Sequence, residues 1–154
     1  MQYKDNEISD WQSHLESLEL RVLLMSELDI AKIDRRYIFI QMEGRPFQVR
    51  TIIYGSKKEG KKTLVMTHGF MGASAVWIYM LKHLAEKYRL VLFDHGSWGL
   101  NTRLDASSGL ESPEAAENWQ REWIVKLMDA LTGDNTVPDK FYMAGHSLGG
   151  WLCS

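Results

Sequence analysis

From Thr63 to its last residue the sequence alternates short apolar runs with longer amphipathic stretches, and this constrains the fold more than any other feature. Thr63 to Thr67 (TLVMT), Arg89 to Phe93 (RLVLF) and Lys140 to Ala144 have the length and texture of strands covered on both faces. Between the first two, Ser74 to Lys87 places Trp77, Leu81, Leu84 and Ala85 on one side of a helix. Between the second and third, Ser112-Pro113-Glu114 opens another: Ser caps, Pro suits the first helical position, and Glu favours the positive end of the dipole. Ala116, Trp119, Trp123 or Ile124, Leu127 and Leu131 form its buried stripe, and Thr132-Gly133 with Pro138 beyond ends it. Strands separated by helices need crossover connections, which make them parallel, so the expected class is α/β.

Upstream the texture differs. Arg36 to Tyr54 reads as an antiparallel hairpin about Glu43-Gly44-Arg45-Pro46, and Gly55 to Lys62 (GSKKEGKK) as a solvated turn. From about Glu7 to Asp29, residues Ile8, Trp11, Leu15, Leu18, Val22, Met25 and Leu28 recur three or four apart, which predicts an amphipathic helix. Asp10, Glu16, Glu19, Glu27 and Asp29 fall on its polar face with little but Arg21 to oppose them, so attraction to anionic lipid is weak. The apolar stripe is expected to pack on the domain, with contact to a lipid surface as the alternative. The expected division is residues 1–35, helix and connection, and residues 36–154, the α/β part.

Composition narrows the partners. Eighteen basic and twenty acidic side chains leave a net charge of −2, so no cationic field exists to hold nucleic acid. The single cysteine, Cys153, excludes a disulfide framework and a multi-cysteine zinc site, and it fits a reducing, cytoplasmic compartment. The polar start MQYKDNEISD lacks the pattern of an export signal, and no apolar run approaches the roughly 20 residues that cross a bilayer.

Chemistry concentrates at the strand ends. Gly145-His146-Ser147-Leu148-Gly149-Gly150 follows the third parallel strand and precedes a helical start, Trp151-Leu152-Cys153. G-x-S-x-G in that context is a nucleophile elbow: a serine on a sharp turn, flanked by glycines that let the backbone close. Ser147 is the candidate nucleophile, against the alternative of an ordinary serine in a tight turn. Thr67-His68-Gly69-Phe70 ends the first parallel strand, where backbone amides can face an oxygen that becomes negative during acyl transfer. The amides of Phe70 and Leu148 are the expected oxyanion donors, with His68, Gly69, Gly145 and Gly149 supporting them. His68 and His146 are expected to be structural rather than basic. Asp94, in Asp94-His95-Gly96-Ser97-Trp98-Gly99, is expected to shape a turn, because the acid of such a triad follows its nucleophile. Met71, Trp77 and Trp98 are candidates for an acyl pocket.

HGF, DHGSWG and GHSLGG, each ending a strand in this order, resemble the α/β-hydrolase superfamily from about Tyr37 onward. Within it the layout is most similar to the branch containing N-acylphosphatidylethanolamine lipase, lysophospholipase and the lipid-droplet protein CGI-58. The resemblance implies an α/β-hydrolase fold and a serine hydrolase that cleaves acyl esters of phospholipids or other lipids without metal or cofactor. Ser147 matches the family nucleophile, whereas CGI-58 carries Asn there. The tryptophan-rich anchor of CGI-58 is unmatched, since Trp11 stands alone in the amino-terminal segment, and DHGSWG departs from the family's D-x-x-G-x-G turn.

The triad acid and histidine would follow the nucleophile, yet only seven residues do. A serine without its base is a weak nucleophile, so the 154 residues alone are expected to be inactive, and the elbow strand is expected to form a bare apolar edge. The reading is therefore the amino-terminal part of a serine ester hydrolase acting on a small-molecule ester or lipid. A non-catalytic lipid-binding or regulatory module that keeps the elbow as scaffold is the alternative.

Overall fold

The computed structural model describes residues 5–103 and 112–154, with side chains from residue 10 onward. Helix α1 (Asp5–Met25) leads into β1 (Ile33–Met42) and β2 (Arg45–Tyr54), a hairpin joined by Glu43 and Gly44, both at positive φ. Then follow β3 (Lys62–Thr67), a short 3-10 turn (Ser74–Trp77) continuing into α2 (Ile78–Lys87), β4 (Tyr88–Phe93), α3 (Pro113–Gly133), β5 (Tyr142–Gly145) and α4 (Leu148–Leu152). The later part of the glycine-bearing loop after β4, Gly109 included, lies outside the described residues.

The strands form one sheet in the order β1-β2-β4-β3-β5. β4 and β5 flank β3 in parallel, and the hairpin joins antiparallel through β2 and β4. Alternation along β3 and β4 sends Leu64, Met66, Leu90 and Leu92 to one face, where Leu81 and Ala85 of α2 and Leu23 of α1 cover them. Val65, Val91 and Phe93 point the other way, against Trp119, Trp123, Ile124, Leu127 and Leu131 of α3. β3 and β4 are thus buried on both faces, as interior parallel strands require, whereas β1 exposes alternate residues and β5 has no fully buried residue. Ser112 caps α3 by accepting from the Ala115 amide, with Pro113 in the first turn. β5 pairs only with β3 among the described residues.

Helix α1 departs from the sequence expectation. Of the expected stripe, Trp11, Leu18 and Met25 are exposed, and the face turned to the sheet holds Gln12, Glu16, Glu19 and Leu23. Glu19 pairs with buried Arg50 of β2 at 2.6 Å and with Arg35 of β1 at 3.4 Å. The Tyr37 hydroxyl donates to Glu16 at 2.7 Å and accepts from Gln12 at 2.9 Å, while the Arg50 guanidinium lies 5.0 Å from the Tyr37 ring centre. Two acidic side chains assigned to solvent therefore face inward, drawn by a guanidinium that burial would otherwise leave uncompensated. No helix among the described residues is long and apolar enough to cross a membrane.

Candidate active site

The turn from β5 to α4 holds Ser147 at φ 53° and ψ −118°, a conformation L residues rarely adopt. Close packing of the turn enforces it. A Cβ on Gly145 would fall 2.2 Å from the Gly149 carbonyl carbon, and one on Gly149 would fall 2.5 Å from the His68 carbonyl oxygen. The two flanking glycines thus let α4 start against its own strand and against the end of β3 at once. The His146 amide donates to the Thr67 carbonyl at 3.2 Å, tying the turn to β3. Ser147 is exposed on this corner, and its hydroxyl has no hydrogen-bond partner among the described residues. Such strain, held in place by its surroundings, is characteristic of functional sites.

The loop after β3 runs alongside. A Cβ placed on Gly69 would lie 3.1 Å from the Ser147 Cβ, so the Gly69 backbone is an immediate neighbour of that side chain. Phe70 and Leu148 flank the corner, and neither amide donates a hydrogen bond among the described residues. Phe70 and Met71 are exposed, Met71 at φ 55°. The Phe70 ring meets Trp98 edge-on with centroids 4.5 Å apart. Among the acyl-pocket candidates, Trp98 therefore packs against Phe70, whereas Trp77 packs into the core layer beneath α2.

His68 and His95 are both buried and both committed. The His95 amide donates to His68 Nε2 at 2.9 Å, which places the His68 proton on Nδ1, from where it donates to the Gly69 carbonyl at 2.7 Å. His95 Nε2 in turn lies 2.5 Å from the His68 carbonyl and 2.9 Å from Thr67 Oγ1, so this nitrogen carries the His95 proton. Burial pushes His68 below its ordinary value, against the opposing pull of the Gly69 hydrogen bond and Asp94. His95 is pushed down to about 4, by burial first and by His68 second. Both rings are neutral at pH 7, and the 4.0 Å from His68 Nε2 to Asp94 is no ion pair, because that nitrogen already accepts the His95 amide.

Asp94 is occupied as well. Its Oδ1 accepts from the Ser74 amide at 2.7 Å and hydroxyl at 2.8 Å, fixing the start of the turn before α2. Oδ2 accepts from the Leu100 amide at 3.0 Å. Gly99, at φ 55°, clears this carboxylate, since a Cβ there would meet Oδ2 at 1.9 Å. Asn101 bridges the Asp94 and His95 carbonyls and accepts from the Arg50 amide. Ser74 and Asn101 carry no sequence signal of their own: each is an ordinary loop residue until the fold brings it to Asp94.

The remaining histidines, His14, His83 and His146, are exposed, and none of the five in the chain makes a hydrogen bond with Ser147. Burial pushes the Cys153 thiol up, which leaves little thiolate. Among the described residues no three metal-ligating side chains gather into a site.

Known proteins resemble this chain in sequence and in fold. The chain is 28% identical over 106 residues to a 1-acylglycerol-3-phosphate O-acyltransferase of Arabidopsis thaliana, covering 69% of this chain and 23% of that protein. It is 26% identical over 142 residues to the human (lyso)-N-acylphosphatidylethanolamine lipase, covering 92% and 37%. In three dimensions it is similar to a bacterial membrane phospholipase A, with a TM-score of 0.61 at 19% identity over 91% of this chain and 38% of that one. The chain thus spans between about a quarter and two fifths of the proteins it matches. Residues 62–154, more than half the chain, match the sequence profile of the alpha/beta hydrolase fold, and to that family the chain belongs.

Proposed function

We propose that the protein is a serine hydrolase that cleaves acyl esters of lipids, phospholipids foremost, with Ser147 as the nucleophile. The observation that carries this reading is the backbone of Ser147: a non-glycine residue at φ 53° and ψ −118°, exposed at a strand end, beside two amides without acceptors. The reading assigns the Phe70 and Leu148 amides to the oxyanion, with each such donor worth about a hundredfold or more in kcat. Ser147 Oγ bonds to the ester carbonyl carbon, its proton passes to an imidazole, and the oxyanion collapses as the alkoxide leaves with that proton. Water then hydrolyses the acyl-enzyme to a fatty acid and free Ser147.

The imidazole and its acid are assigned to a part of the protein outside residues 1–154. His68 and His95 are neutral, buried and engaged, and the buried Asp94 carboxylate already accepts from three donors, which argues against recruiting any of them. The lipid substrate class is supported by the acyl-lipid activities named for the relatives. The test is turnover of p-nitrophenyl butyrate and of a lysophospholipid by the complete protein and by Ser147→Ala. Loss of about 10³-fold or more in kcat is expected of the variant. Equal turnover by both proteins rejects the reading, and lipid binding by both without turnover supports a non-catalytic module instead.

A further inference from the structure

The Phe70 amide can serve an oxyanion only if the peptide that carries it is held in one orientation. A trans peptide directs its N–H opposite to its C=O, so the Gly69 carbonyl fixes the direction of the Phe70 N–H. That carbonyl accepts twice, from His68 Nδ1 at 2.7 Å and from the Gly72 amide at 3.1 Å. The His68 ring is held by the His95 amide on its other nitrogen and by the His95 ring, edge-on at 4.6 Å between centroids. His95 Nε2 closes the loop by donating back to the His68 carbonyl. The two residues thus grip each other through ring and backbone at once, and both are buried. Of the two His68 nitrogens, one faces the scaffold and the other faces the peptide that bears the proposed oxyanion donor.

We infer that His68 and His95 form a positioning pair for the reaction: the neutral, Nδ1-protonated His68, locked in that tautomer by the His95 amide, orients the Gly69–Phe70 peptide and polarises its N–H towards the oxyanion. Donation into a peptide carbonyl strengthens the N–H of the same unit, because hydrogen bonds in a chain polarise one another. This inference rests on the Ser147 reading and adds to it residues that touch no reacting atom.

Two substitutions separate the nitrogens. His68→Asn keeps a donor near the Nδ1 position and loses the Nε2 acceptor, whereas His68→Gln keeps an acceptor near Nε2 and loses the Nδ1 donor. With p-nitrophenyl butyrate and the complete protein, His68→Asn, which loses only the hold of the His95 amide, is expected to lose about threefold in kcat, and His68→Gln, which loses the donor to the Gly69 carbonyl, about tenfold or more, both at unchanged KM, as for a weakened oxyanion donor. Circular dichroism melts of both variants accompany the kinetics. Equal kcat for the two, a loss confined to KM, or unfolding of both variants overturns the inference and leaves the nucleophile assignment standing. Absence of Ser147-dependent turnover in the unsubstituted protein overturns the nucleophile assignment itself.

Discussion

Replacing Ser147 by glycine should stabilise the protein, although it removes the hydroxyl on which the proposed activity depends. At φ 53° and ψ −118° the serine Cβ is strained by about 1–3 kcal/mol. Glycine adopts this region freely, but it also loses about 0.5–1 kcal/mol more backbone entropy on folding. The balance favours Ser147→Gly by up to about 2.5 kcal/mol, and by about 1 kcal/mol at the middle of both ranges. Ser147→Ala retains the Cβ and the strain, and no described hydrogen bond is lost with the hydroxyl, so alanine should lie close to the serine protein. Equilibrium urea unfolding of the three proteins measures this directly. A glycine variant more stable than the alanine variant, by about 1 kcal/mol, is expected. A glycine variant equal to or weaker than alanine would show that the corner stores no strain, and the conformational argument for Ser147 would fail.

Three further outcomes follow from the packing. Gly149→Ala puts a methyl group 2.5 Å from the His68 carbonyl, so α4 must lift from β3; urea unfolding should show a loss of about 2 kcal/mol or more, and no loss would refute the close approach. Glu19→Gln leaves buried Arg50 without its nearest carboxylate and should destabilise by about 3 kcal/mol, while a Glu19→Leu, Arg50→Met double variant should recover most of that; an additive double variant contradicts the pairing. His95 binds its proton more weakly folded than unfolded, so its contribution to stability is complete above the ordinary histidine value near 6.5 and is lost as pH falls towards about 4. Unfolding measured at pH 7 and pH 4.5 should show a steeper loss, approaching about 3 kcal/mol, than His95→Gln shows, and parallel profiles would sink the claim.

The parts of the fold that were legible in the sequence share a local cause. The β3 and β4 runs are continuously apolar and buried, and the α3 stripe of Trp119, Trp123, Ile124, Leu127 and Leu131 is the face that meets the sheet. Helix α1 resisted the same reasoning. Its periodic stripe exists, yet Trp11, Leu18 and Met25 of that stripe face outward, because Glu16 and Glu19 find Tyr37, Arg35 and Arg50 on strands that only the assembled sheet brings beneath the helix. Periodicity reports which residues share a face, and a buried guanidinium elsewhere decides which face turns inward.

The site divides in the same way. The strand-to-helix turn at Ser147 could be located because a glycine pattern sat between a strand and a helical start, both properties of adjacent residues. The partners of Asp94 could not, since Ser74 lies twenty residues upstream and Leu100 six downstream, and nothing in their identity marks them. The tautomers of His68 and His95 follow only from the relative placement of the β3 and β4 ends, which no local pattern encodes.

Treating the complete protein with a fluorophosphonate and mapping the adduct by mass spectrometry reads the central claim in one step, because the reagent needs an activated hydroxyl and an oxyanion site together. A single adduct on Ser147, abolished in Ser147→Ala and slowed in His68→Gln, is the expected result. An unmodified Ser147 in protein shown to be folded, or an adduct on another residue that persists in Ser147→Ala, would contradict the account.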